Sequence, residues 1–156
     1  PLVDRMPESG LGVLPAPMGI AYLDLDGDHR GDLVFSDIGR LSVFQRIGPW
    51  SWANVARSWL AEVPSRDHDV SWSVVPVDLD GWGQPGLYVS YGPIDDEPLG
   101  DGAPFKAEQP DRYLVPSGLG TVLRFTPGEV FPVRQAGRAR GWPLQTSTKM
   151  GFQTSW

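Results

Sequence analysis

The stretch Asp24-Leu25-Asp26-Gly27-Asp28-His29-Arg30-Gly31-Asp32-Leu33 decides the fold, because its first four residues recur as Asp78-Leu79-Asp80-Gly81. The shift of 54 residues that superposes the two tetrapeptides also lays Ile20 on Val74, Leu23 on Val77, Leu33 on Leu87, Phe35 on Val89 and Ser36 on Ser90. Apolar stretch, acidic loop and apolar stretch therefore repeat as one unit. A weaker third start, Lys149-Met150-Gly151-Phe152, echoes Pro17-Met18-Gly19-Ile20. The expected units run from about 12–62 and about 66–134, with a third beginning at about 145–156. Residues 92–109, rich in Gly, Pro, Asp and Glu, form an insertion in the second unit.

Outward from the loop, short β-branched or aromatic runs bounded by Gly, Pro or Asp predict strands at 20–24, 33–36, 41–45, 73–78, 87–91, 121–125 and 130–133. The only helical pattern falls at 52–61, with Val55, Trp59 and Leu60 on one side. Repeats of roughly 40–50 residues built from several strands point to propellers or related solenoids, whose units bury their faces only against neighbours. The expected fold class is all-β: antiparallel blades of an incomplete β-propeller spanning 1–156, with the acidic loop between strands. A ring takes about 4 to 8 blades, so the remaining blades are expected from a longer parent chain or another protein subunit. The start at Pro1 and the end inside a third unit fit a processed or truncated piece, or a natural subunit.

The 156 residues are 40% hydrophobic, enough for a core, and contain 19 Gly, 16 Pro and no Cys. The absence of Cys excludes disulfides, thiolate metal sites and Cys nucleophiles. A net charge of -6 disfavours nucleic acid, which needs a basic face, and favours divalent cations. No apolar run is long enough for a transmembrane segment.

In the first loop, carboxylates stand at alternate positions, Asp24, Asp26 and Asp28, and again at Asp32. Calcium takes about 6 to 8 hard oxygen ligands, and a curled loop aims alternate side chains and a backbone carbonyl inward. On that logic the four aspartates supply carboxylates and Arg30 its carbonyl, with its side chain directed away; Gly27 and Gly31 let the loop curl. Magnesium is the second choice. The competing reading is an Asp-rich turn favoured for backbone reasons alone. The second loop keeps Asp78 and Asp80 but has Trp82 and Gly86 in place of Asp28 and Asp32, so any metal binding there is weaker.

These residues resemble FG-GAP and VCBS repeats, whose signature is Asp-x-Asp-x-Asp-Gly-x-x-Asp-Leu. The stretch 24–33 matches at every acidic position and departs at His29, where Gly is usual and a positive φ is expected. Met18-Gly19-Ile20-Ala21, Pro110-Asp111-Arg112-Tyr113 and Phe131-Pro132-Val133 are similar to pieces of the cartilage acidic protein group (ASPIC/UnbV-associated) and its bacterial relatives. The resemblance implies an exported β-propeller used for adhesion, assembly or ligand contact, and hence an extracytoplasmic location.

Catalytic signatures are missing. His29 lies in the acidic loop, His68 sits in Arg66-Asp67-His68-Asp69, and neither has a partner motif. A hydrolase or lyase would have to draw on carboxylates such as Asp95, Asp96 and Glu97. The seven Trp allow a lectin-like alternative in which indoles stack on a glycan, with Trp82 as the exposed candidate and Trp72 as a packing residue. The expected function is a non-catalytic, calcium-stabilised scaffold or protein-interaction module.

Overall fold

The computed structural model describes residues 2–14, 16–79, 81, 83–94, 109–118 and 123–131. Strands β1 (Gly19–Leu23), β2 (Asp32–Ser36), β3 (Ser42–Gly48) and β4 (Ser51–Asn54) form one antiparallel sheet in chain order. Strands β5 (Ser71–Val77), β6 (Gly86–Tyr91), β7 (Asp111–Ser117) and β8 (Arg124–Phe131) form a second of the same topology. Among the described residues the only helices are α1 (Met6–Ser9) and α2 (Ala56–Trp59). None is long and apolar enough to cross a membrane. The described residues thus make two open antiparallel meanders, without a closed barrel or ring.

The repeat read from the sequence is a repeat of structure. β2 and β6 begin at residues 32 and 86, the expected shift of 54. Beyond them the shift grows. Leu33 pairs with Phe44 and Leu87 with Leu114, so the third strands correspond at a shift of 70, placing 16 extra residues between β6 and β7.

Two strands were not expected. β4 occupies the start of the window 52–61 that carries helical periodicity, because its backbone pairs with β3, Arg46 with Trp52 and Phe44 with Asn54. The chain turns helical only after Val55, whose N–H bonds to Val43 O at 2.8 Å. β7 contains Pro116, which has no N–H to donate, yet it pairs with β6 on one side and β8 on the other. The two expected strands at 121–125 and 130–133 are one strand where described, β8, whose ladder with β7 shifts between Arg112 and Leu114.

The two sheets bury one face each against the other. The first contributes the row Ala21, Val34 and Val43, and the second contributes Val74, Leu87, Val89 and Leu114. Trp59, Leu60 and Val63, from α2 and the residues after it, join the same core along with Phe125 of β8. Fully burying a side chain such as Phe125 or Leu114 contributes about 1.5–3 kcal/mol.

A polar joint fixes the sheets to one another. Ser71 donates its N–H (3.1 Å) and its hydroxyl (2.8 Å) to Asp37 O, while Asp37 N–H donates to Ser71 Oγ at 2.8 Å. Gly39 N–H reaches Asp69 O at 2.6 Å, and Ile38 bridges Val70. Buried Asp69 is matched by Arg112 at 3.4 Å, whose guanidinium also lies 4.7 Å from the centre of the Tyr91 ring. Buried Gln109 accepts from Val70 N–H at 2.6 Å and donates to His68 O at 3.0 Å. The joint satisfies the polar groups it buries, as a low-dielectric interior requires.

Candidate metal centre

The acidic loop is the β1–β2 hairpin turn: Leu23 pairs with Asp32, and residues 24–31 connect them. Asp24 organises it. One of its oxygens accepts the N–H of Gly27 (2.8 Å) and Asp28 (3.1 Å), and the other accepts that of His29 (2.8 Å). Asp26, buried, accepts from Asp28 N–H at 3.2 Å and from the Gln45 amide at 2.6 Å. Asp24, Asp26 and Asp28 each offer a carboxylate oxygen within 4.8 Å of the others. Three hard oxygen donors from alternate residues of one loop fit a small divalent cation.

His29 adopts φ 64, the left-handed conformation expected at this departure from the repeat signature, and Gly27 adopts φ 78. Gly31 serves a different purpose from the expected curling. A Cβ there would run into the Tyr22 ring, so the residue is bare to let that ring lie against the loop.

Where it is described, the second loop repeats the turn bonds of the first, and its sequence has fewer carboxylates. Asp78 accepts from Gly81 N–H (2.7 Å) and Gly83 N–H (2.8 Å), the bonds that Asp24 makes to Gly27 and His29. Gly81 and Gly83 repeat the positive φ values, at 74 and 84. The first aspartate of each loop therefore acts as a turn former in its own right. Asp80 and Trp82 lie outside the described residues.

Asp32 lies outside the cluster of three carboxylates, and the side chain of Arg30 departs from its expected direction. The Arg30 side chain is not directed away. Its Nε and Nη2 converge on Oδ2 of Asp28 at 2.8 and 2.7 Å, a cation drawn to a carboxylate that other negative charges surround. That contact holds the Asp28 carboxyl below its ordinary range and raises the Arg30 guanidinium. Asp32 is fully buried at the base of the loop, where it accepts from Leu25 N–H at 3.0 Å and Arg46 N–H at 2.8 Å. Burial pushes its pKa up to about 6 against the pull of those two bonds, and the charges of Asp26 and Asp28 push the same way.

The second sheet solves the problem of Asp32 differently. Leu79, the counterpart of Leu25, directs its N–H at the Tyr113 hydroxyl at 3.5 Å, and that hydroxyl donates to Val77 O at 3.2 Å. Gly86, the counterpart of Asp32, has no side chain, and a Cβ there would meet the Tyr113 hydroxyl. A phenol from β7 thus stands in for a carboxylate from β2. Tyr113 entered the sequence reading only as the end of the 110–113 motif, with no role, and Gln45 was not singled out. The only local sign of the former was the missing acid at Gly86.

Among the aromatic residues, Trp59 is in the core and Trp50 is exposed. Trp52 donates its indole N–H to Gly31 O at 3.2 Å and lies under Arg46, 5.8 Å from ring centre to guanidinium. Trp72, expected to pack, is instead half in solvent with its indole N–H on Gly92 O at 3.2 Å. Asp95, Asp96, Glu97, Trp142, Trp156 and the motif at 149–152 lie outside the described residues. No protein-family model matches the chain, and searches of curated proteins and of solved structures find no match either.

Proposed function

We propose that the chain is a non-catalytic scaffold of stacked β-sheets, stabilised by a divalent cation in the β1–β2 loop, with calcium preferred and magnesium second. The observation that carries this reading is the approach of Asp24, Asp26 and Asp28 to within 4.8 Å. Those three carboxylates would hold the ion. Asp32 adds negative charge from beneath, and Arg30 must release Asp28 for the ion to enter. A bound ion supplies the positive charge that four clustered aspartates need, and its binding energy becomes folding energy. At a calcium concentration one hundred times the dissociation constant, the gain is about 2.7 kcal/mol.

In this reading the two meanders are consecutive blades of a propeller whose other blades come from a longer chain or a partner. An extracytoplasmic setting suits the loop, since extracellular calcium modules work with dissociation constants of about 0.1–1 mM. Thermal melts in calcium and in excess chelator test the metal site. Calcium is expected to raise the melting temperature by roughly 2–4 °C for each kcal/mol gained. Asp28→Ala, which removes a ligand but leaves the Asp24 turn intact, is expected to abolish the rise. A wild-type melt indifferent to calcium would leave the loop as a polar turn and sink the proposal.

A further inference from the structure

The repeat makes an unusual demand on the surfaces left outside. Shifted by 54 residues, the core residues Ala21 and Val34 of the first sheet fall on Val75 and Tyr88 of the second, which lie on its outer face. Conversely, the core residues Val74, Leu87 and Val89 fall on Ile20, Leu33 and Phe35, which lie on the outer face of the first sheet. Successive residues of a strand point to opposite faces, so the two sheets bury opposite faces of equivalent structures. The interface between them is head-to-tail.

Head-to-tail contacts do not use themselves up. The first sheet keeps part of the kind of face that the second has already buried: Ile20 and Tyr22 are each 59% exposed, whereas Leu33 and Phe44, the counterparts of Leu87 and Leu114, are themselves buried. The second retains the kind that the first has buried, with Val75 49% exposed and Tyr88 half-buried beside it. The open part of each face therefore has a structurally equivalent mate on the opposite side of the same molecule.

We propose that the outer face of β1 and β2 is a docking surface for a second copy of this chain, which presents the outer face of β5 and β6. The contact continues the sheet-on-sheet interface within the chain. This deepens the scaffold reading, on which it rests, by naming the partner that covers the open faces. Repetition of a head-to-tail contact closes into a ring when its rotation allows and extends into a filament when it does not.

The test is solution mass by light scattering on the whole chain, with one charge placed on each face. Ile20→Asp spoils the first surface and Val75→Asp the second; the two positions are 59% and 49% exposed, and far-UV circular dichroism checks the fold of each variant. Wild type is expected to exceed the monomer mass of 17.1 kDa as its concentration rises, while each variant alone stays at that mass. An equimolar mixture of the two variants is expected to form a 1:1 dimer and stop there. In that pair the intact β5–β6 face of the Ile20→Asp copy meets the intact β1–β2 face of the Val75→Asp copy, and both remaining faces are charged.

A wild-type chain that remains monomeric overturns the proposal. A single variant that still dimerises also overturns it, because each variant lacks one of the two faces that the head-to-tail contact needs. Calcium response is read separately by melting the monomeric variants, so failure of the metal reading and failure of self-docking are distinguishable.

Discussion

Replacing Asp32 by alanine removes a fully buried carboxylate and leaves the N–H groups of Leu25 and Arg46 without the acceptor they meet at 3.0 and 2.8 Å. Each buried donor left unsatisfied costs about 1–3 kcal/mol, roughly 2–6 kcal/mol for the two. The opposing effect is relief of a strained charge. Because the folded chain raises this carboxyl to about 6, it binds protons more tightly than the unfolded chain over the range between the two pKa values. Wild-type stability from this group is therefore highest at low pH and falls as pH rises, by about 2 kcal/mol between pH 4 and pH 7. The alanine variant lacks that slope.

Urea unfolding in chelator at the two pH values measures the difference between wild type and Asp32→Ala, in which the other titrating groups largely cancel. The expected loss is about 0–4 kcal/mol at pH 7, growing by about 2 kcal/mol at pH 4. A loss below about 0.5 kcal/mol at both would mean that the two backbone bonds do not carry the loop. A larger loss at pH 7 than at pH 4 would mean that the ionised carboxylate is stabilised in the fold, the reverse of the reasoning here.

Arg30→Gln takes away the guanidinium that competes for Asp28; isothermal titration is expected to find calcium bound roughly two- to five-fold more tightly, with the melt in chelator nearly unchanged. Tyr113→Phe removes the hydroxyl between Leu79 N–H and Val77 O and is expected to cost about 1 kcal/mol in urea unfolding, equally in calcium and chelator. His29→Gly relieves a non-glycine residue at φ 64 and is expected to stabilise the chain by about 0.5–1 kcal/mol, making the first loop match Gly83 of the second. Destabilisation by that change would show that the imidazole holds the turn in some other way.

Local pattern was enough to read five of the eight strands among the described residues, because β1, β2, β3, β5 and β6 carry their own β-branched runs and turn residues within a few positions. The acidic loop was legible for the same reason. Asp24 and Asp78 bond N–H groups three and five residues along, so spacing in the chain is spacing in the turn. What the chain alone could not display were interactions between residues far apart in it. Residues 51–54 became a strand because β3 offers them a ladder, overriding the helical periodicity of the residues that follow. Asp32 gained its second backbone donor from Arg46, and Asp26 gained Gln45, both from a strand that packing brings beside the loop.

Tyr113 took over from the missing acid only because β7 crosses beside β6 after a 16-residue insertion. The choice of which face of each sheet is buried was likewise a tertiary decision. Leu33 and Val34 are neighbours of similar hydrophobicity, and only docking against the second sheet places Val34 in the shared core and Leu33 on the opposite face. Periodicity in sequence shows that a strand has two faces, whereas the partner that covers one of them determines which is inside.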